Sequence, residues 1–263
     1  RDLHSLRRRQ RQMCIRDRVE KAVVTGDIWQ IPPVYSTINV IRERTKYGTF
    51  NFLYELMKNE MHKVLWLRNH YRCNDRIISF SARYVYDGNI NVMERCRNEK
   101  LEIGEVNERW LSPNEPLVFI NVDGEEEGAG SRRNTREAKA VAEVVCELVE
   151  VGVKPEDIMV LTPYNSQAKL IEGEIQKKSW KREPNIRKID VKTVHGYLGG
   201  EKDVVVFSIT CTNPYSLHFI DKRMVNVVTT RAKRKLIVVG NARKIAENRD
   251  MPIFELYRYI PVS

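Results

Sequence analysis

The sequence predicts an α/β fold with a mostly parallel sheet and helices on both faces. Three observations lead there. Short apolar runs at 117–122 (LVFINV), 158–161, 204–209 and 236–239 have the length and all-round apolarity of strands buried on both sides. Between them lie amphipathic segments with helical spacing, clearest in Val141, Val144, Val145, Leu148 and Val149. Strands alternating with helices imply right-handed βαβ crossovers, and hence parallel pairing.

Bulk properties bound the rest. A chain of 263 residues suffices for one large α/β domain, or one domain and part of a second. Its 42% hydrophobic and 30% charged content is that of a globular protein. It has no run of about 18 uncharged apolar residues, so no membrane span is expected. Cys14, Cys73, Cys96, Cys146 and Cys211 are scattered without a CxxC pair, which points to a reducing intracellular compartment and away from structural zinc. The net charge of +10 suggests a polyanionic partner, yet half of it sits in residues 1–18, which hold seven Arg and two Asp. A basic nucleic-acid arm is one reading of that segment. A leader outside the domain, non-native or disordered, is the preferred one.

Taken in order, a strand at Lys21–Thr25 ends in Gly26-Asp27, and Pro32-Pro33 stop any regular continuation. A helix is expected over Phe50–Met57 and a strand over Lys63–Leu67. After Tyr71-Arg72, a helix runs from Asn74, a capping residue, to Tyr86, with Ile77, Phe80, Ser81 and Tyr84 along one side. Residues 87–116 are irregular, and 123–130 (DGEEEGAG) read as a mobile acidic surface loop. The helix from Asn134 to Val151 is stopped by Gly152. Tyr164, Ala168, Ile171 and Ile175 mark another, followed by a basic loop over Lys177–Lys188. A strand at 189–194, a tight loop at His195–Glu201 and the strand at 204–209 come next. Met224, Val227 and Val228 give the helix that ends at Arg231, where the helix dipole favours a cation. A short helix over 242–248 and a tail close the chain.

Four polar clusters stand at element junctions: Gly26-Asp27 with Gln30, Tyr71-Arg72, Gly199 to Glu201, and Arg231. Such junctions are expected to gather at one sheet edge, and a strand that hands Asp27 and Gln30 to a rigid loop suits a site at the carboxyl edge. Two arginines with a glutamine suit a phosphoryl group: the planar donors neutralise charge and the amide orients a water.

In this order the residues resemble superfamily 1 helicases, specifically the up-frameshift type that acts in nonsense-mediated mRNA decay. GDIWQIPPV (26–34) looks like motif III, and LRNHYRCND (67–75) is similar to motif IV. SRRNTREA (131–138) and VLTPYNSQ (160–167) match blocks of the second domain. VKTVHGYLGGEKDVVVFS (191–208) and NVVTTRAK (226–233) resemble motifs V and VI. The match covers nearly everything from Val23 to Asn241.

The resemblance implies a RecA-like, three-layer α/β/α, P-loop-NTPase-like fold. It implies ATP with Mg2+ bound between two RecA-like domains, and 5′-to-3′ movement along single-stranded RNA or DNA. Gln30 would meet the γ-phosphate and the attacking water, Tyr71 would stack on adenine, and Arg72 and Arg231 would clamp the γ-phosphate. Glu201 would meet the ribose, with Gly26, Asp27 and Gly199 on the same nucleotide side. Thr162, Tyr164 and Thr193 would lie toward the nucleic-acid groove. Residues 19–62 would be the tail of the first domain, 63–250 the second, and 251–263 a C-terminal tail.

Departures bear on this. Leu198 stands where motif V has Gln, His195 where Asp is common, and Cys73-Asn74-Asp75 replaces Met-His-Pro. Leu198 lacks a side-chain amide that would couple nucleotide to nucleic acid. No G-x-x-x-x-G-K-[ST] occurs, and no Asp-Glu pair precedes motif III. The phosphate-cradling lysine and the magnesium carboxylate are therefore expected from an upstream domain, and the chain alone is expected to hydrolyse little ATP. The alternative is a RecA-like module that binds nucleic acid or protein without catalysis.

Overall fold

The computed structural model describes residues 25–31, 65–104, 106–180, 184–197 and 200–261. The expected strand before Thr25 and the helix over 50–57 lie outside the described residues, as do Leu198 and Gly199. The described residues fall into two contact units, one holding residues 25–28 and Leu65, the other residues 29–31 and 66–261.

The second unit is built on five strands: β3 (Leu117–Asn121), β4 (Ile158–Thr162), β5 (Asp190–Thr193), β6 (Lys202–Ser208) and β7 (Ala232–Gly240). They lie in the order β3-β7-β6-β4-β5, and every pairing is parallel. A separate parallel pair joins β1 (Asn69–His70) to β2 (Asn91–Val92). Helices α1 (Asp75–Tyr84), α2 (Thr135–Glu150), α3 (Asn165–Ser179), α4 (Pro214–Leu217), α5 (Lys222–Arg231), α6 (Ala242–Ala246) and α7 (Pro252–Tyr259) complete the fold.

Strand alternation divides the core into two. Met159, Leu161, Val205, Phe207, Leu236 and Val238 face Ile77 and Phe80 of α1, the apolar side of α5, and Ile253 and Leu256 of α7. Ile158, Val160, Val204, Val206, Ile237 and Val239 face Val141, Val145 and Leu148 of α2 and Ile171 and Ile175 of α3. This is the expected three-layer α/β/α arrangement.

Local chemistry sets the helix ends. Asn74, Asn134 and Asp221 cap α1, α2 and α5, their side-chain oxygens accepting from Arg76 N (3.0 Å), Glu137 N (3.1 Å) and Met224 N (2.8 Å). Gly152, with φ of 101°, follows α2 in the left-handed conformation that a side chain disfavours.

Four segments differ from the sequence reading. The apolar run at 63–67 forms no strand over its described residues: Leu65 and Leu67 are exposed, and the polar Asn69–His70 pairs instead. Residues 123–130 are pinned rather than loose. The carboxylate of Glu126 accepts from Thr212 N at 2.9 Å and from Asn213 Nδ2 and Ser216 Oγ, and pairs with Arg132. The basic stretch from Lys177 continues α3 to Ser179, and Pro184–Lys188 forms a 3-10 turn closed by buried Ile186. Residues 252–259, read as part of a tail, form α7 with Ile253 and Leu256 in the core.

Candidate functional site

Arg231 ends α5, and β7 begins at the next residue. Glu201 directly precedes β6 in the same way. Both therefore sit at the amino-terminal edge of the sheet, not at the carboxyl edge that suits the Asp27–Gln30 loop. The reason is chain direction: each residue leads into its strand, whereas only residues that follow a strand reach the carboxyl edge.

Arg72 is carried to the same edge by the turn after β1. His70 Nε2 accepts from Cys73 N at 2.9 Å, closing that turn around Tyr71 and Arg72. Burial, then the charges of Arg72 and Arg95, pull the His70 imidazole down to about 4, so at neutral pH it is the uncharged acceptor this bond needs. Asn74 N donates to Lys233 O at 2.6 Å, and Cys73 Sγ donates weakly to Thr230 O at 3.7 Å. The turn is thus fastened on both sides of Arg231.

Four charged groups meet there. Arg72 Nε lies 2.6 Å from Glu201 Oε2, and Lys233 Nζ lies 3.2 Å from the other oxygen. Arg231 is 5% exposed, and its buried Nε has no hydrogen-bond partner among the described residues. Burial, then the like charge of Arg72, holds its guanidinium below the ordinary value, against the pull of Tyr197 and Glu201. A buried guanidinium with an unmatched donor is costly unless an anion completes it. Gly200 keeps the edge compact, since a Cβ there would overlap the ring of Tyr197.

Tyr71 is 43% exposed beside Arg72. Arg95, which the sequence reading passed over, donates from Nε to Tyr71 O at 2.8 Å and stacks its guanidinium 4.9 Å from the ring centre. Gln30 is half-buried in a segment fastened to α5: Asn226 Nδ2 donates to Trp29 O at 3.0 Å, and Lys222 lies over the Trp29 ring at 4.6 Å. Gly26 is exposed and Asp27 half-buried in the other unit. Gly199 lies outside the described residues.

The residues expected toward nucleic acid occupy the opposite, carboxyl edge. Thr162 and Thr193 end β4 and β5 and are paired in register. Thr162 is fully buried and its hydroxyl is committed to Thr210 Oγ1 at 3.0 Å, so its side chain faces inward rather than toward a groove. Thr193 Oγ1 accepts from Gly196 N at 3.1 Å. Tyr164 is half-buried, with its ring stacked on Phe219. Behind this edge, fully buried Glu137 accepts from Ser208 Oγ at 2.6 Å and Thr210 N at 2.7 Å. Burial pushes its carboxyl up to about 7 against those two bonds. Thr210 adopts φ of 66°, a strained conformation for a β-branched residue, which these bonds hold in place. Among the described residues no cluster of three His, Cys, Asp or Glu side chains is arranged to hold a metal.

Residues 50–243 match a family model described as "AAA domain". The chain belongs to that family, in the superfamily 1 helicase branch of the up-frameshift type. Its relatives in this branch include a "Regulator of nonsense transcripts 1 homolog" of Neurospora crassa, 29% identical over 238 residues, covering 87% of this chain and 21% of that protein. The human "DNA replication ATP-dependent helicase/nuclease DNA2" is 29% identical over 248 residues, covering 83% of this chain and 22% of that protein. An uncharacterized ATP-dependent helicase of Methanocaldococcus jannaschii is 30% identical over 246 residues, covering 87% and 33%. The chain spans about a fifth of the length of the first two relatives and a third of the archaeal helicase.

Proposed function

We propose that the chain is the C-terminal part of an ATP-dependent helicase that moves 5′-to-3′ on single-stranded RNA or DNA. On this reading it supplies the γ-phosphate arginines and part of the nucleic-acid track. The observation that carries the proposal is Arg231, largely buried beside the charge of a second arginine, Arg72, which itself pairs with Glu201. That donor set fits the terminal phosphate of ATP.

Each residue has a part. Arg231 and Arg72 neutralise charge on the transferred oxygens, and Glu201 accepts from the ribose once Arg72 turns to phosphate. Tyr71 offers one face to adenine while Arg95 covers the other. Gln30 orients the attacking water, with Gly26, Asp27 and Gly199 lining the nucleotide side. The phosphate-cradling loop and the Mg2+ ligands come from an upstream RecA-like domain, so the chain alone turns over little ATP. Mg2+, when bound there, neutralises the β- and γ-phosphate oxygens. Hydrolysis then depends on domain closure, which couples the chemistry to movement along the strand. No helix among the described residues is long and apolar enough to cross a membrane. We place the enzyme inside the cell because its scattered cysteines suit a reducing compartment.

The test is Arg231→Ala in the protein carrying its upstream domain. Loss of a transition-state clamp should lower ATP turnover by roughly 100-fold or more. Turnover within about threefold of wild type would remove Arg231 from the mechanism.

A further inference from the structure

Lys233 completes the charge cluster at the amino-terminal edge, yet it has no part in the exchange between Arg72, Glu201 and nucleotide. Its place is fixed by the strand. β7 opens at Ala232, and Lys233 follows with its carbonyl accepting from Asn74 N at 2.6 Å. That bond ties its backbone to the turn that carries Arg72. Its side chain runs to the Glu201 carboxylate, where Nζ lies 3.2 Å from Oε1. Asp203 also feels its charge, but Arg234 already lies 3.6 Å from Asp203.

Glu201 therefore divides its two oxygens between two cations. Arg72 Nε takes Oε2 at 2.6 Å, and Lys233 Nζ takes Oε1. The two cations differ in what they can do next. Arg72 stands in a turn with half of its side chain exposed, so its guanidinium can swing to another anion. Lys233 is two-thirds covered and rooted in a sheet strand, with its head already on the carboxylate. When Arg72 leaves for a phosphate, a ribose hydroxyl can replace its hydrogen bond to Glu201 but not its charge. A partly covered carboxylate that loses its cation resists that exchange. With Lys233 in place, Glu201 keeps one cation throughout.

We propose that Lys233 is a positioning residue for the nucleotide: it holds Glu201 while Arg72 changes partner, and so eases the binding of ATP. This inference rests on the reading of Arg72, Glu201 and Arg231 as nucleotide-binding groups, and it adds the residue that lets Arg72 go. A charge that attends the exchange without touching the transferred phosphate acts on binding rather than on the chemical step.

The test is steady-state ATP hydrolysis by the protein carrying its upstream domain. Lys233→Met keeps the aliphatic stem and removes the charge. It should raise KM for ATP about threefold to fivefold and leave kcat within about twofold of wild type. Lys233→Arg keeps the charge and should hold KM within about 1.5-fold of wild type. In a Glu201→Gln background, Lys233→Met should change KM by less than about 1.5-fold, since no carboxylate remains to be held. The pair is partly exposed, so Lys233→Met should melt within about 2 °C of wild type. A KM for Lys233→Met within about 1.5-fold of wild type, or the same rise in both backgrounds, would overturn the inference. Arg231→Ala separates the two levels. If it abolishes turnover while Lys233→Met leaves KM unmoved, only the role of Lys233 is lost. If Arg231→Ala keeps its turnover, the nucleotide reading falls and takes this inference with it.

Discussion

Replacing Glu137 by Gln isolates the behaviour of one buried carboxyl. Both strong donors, Ser208 Oγ and Thr210 N, address the same oxygen, Oε1. Gln can present its own carbonyl oxygen there, so the variant mimics the protonated acid and keeps both bonds. Burial raises the Glu137 carboxyl from an ordinary value near 4.5 to about 7. Because the folded value lies above the unfolded one, its contribution to stability is full below about pH 4.5 and is lost as the pH climbs through 7. A shift of that size corresponds to roughly 3 kcal/mol. Urea unfolding followed by circular dichroism at pH 5, 6, 7 and 8 reads it directly. Glu137→Gln and wild type should be close in stability at pH 5, and the variant should lead by roughly 3 kcal/mol at pH 8. Taking the difference between the two proteins cancels every other titrating group. A difference that stays within about 0.5 kcal/mol over the whole range would refute the reasoning.

Two further perturbations test the scaffold. Asp221→Ala removes the cap at the start of the helix that presents Arg231, at about 1 kcal/mol, so Tm should fall by about 2–4 °C; an unchanged Tm would deny that bond any net worth. Lys235 is fully buried with Nζ on Ser112 O (3.0 Å) and Glu115 O (2.5 Å), and burial lowers its ammonium to about 8. Its folded value lies below the unfolded 10.5, so wild type should gain up to roughly 3 kcal/mol between pH 8 and 10.5 relative to Lys235→Met, and parallel urea midpoints over that range would refute this.

Periodicity carried the reading of the core. Val141, Val145 and Leu148 are all fully buried, and the runs at 158–161, 204–209 and 236–239 are strands or their direct continuation, because burial on one face or two leaves a repeating trace in sequence. Period fails where one side chain decides. An apolar run such as 63–67 looks the same whether or not its residues are covered, and here Leu65 and Leu67 are not. Glu126 sits in a stretch that reads as a surface loop, and Glu137 in a polar stretch with no apolar period, although both are enclosed by hydrogen-bond donors. Phe219 and Lys235 belong to no pattern at all. Arg72, Glu201 and Arg231 could be matched one by one, but their meeting depends on β6 and β7 being neighbours, a fact of strand order that composition does not hold. His70 and Arg95 escaped notice for the same reason, since each acts through a neighbour.

β6 spans the domain from one rim to the other. It starts next to Glu201 and ends at Ser208, and its last five residues, Val204 to Ser208, are wholly enclosed by packed neighbours. Seven extended residues cover about 20 Å, and an extended backbone locked in a sheet neither stretches nor buckles. Beyond the register irregularity between Lys202 and Val204, the strand runs unbroken to Ser208, which holds the carboxylate that pins Thr210. The two rims are therefore joined by one fixed length of backbone, and on the function proposed above, nucleotide at one rim and strand at the other are held at a constant separation within this domain.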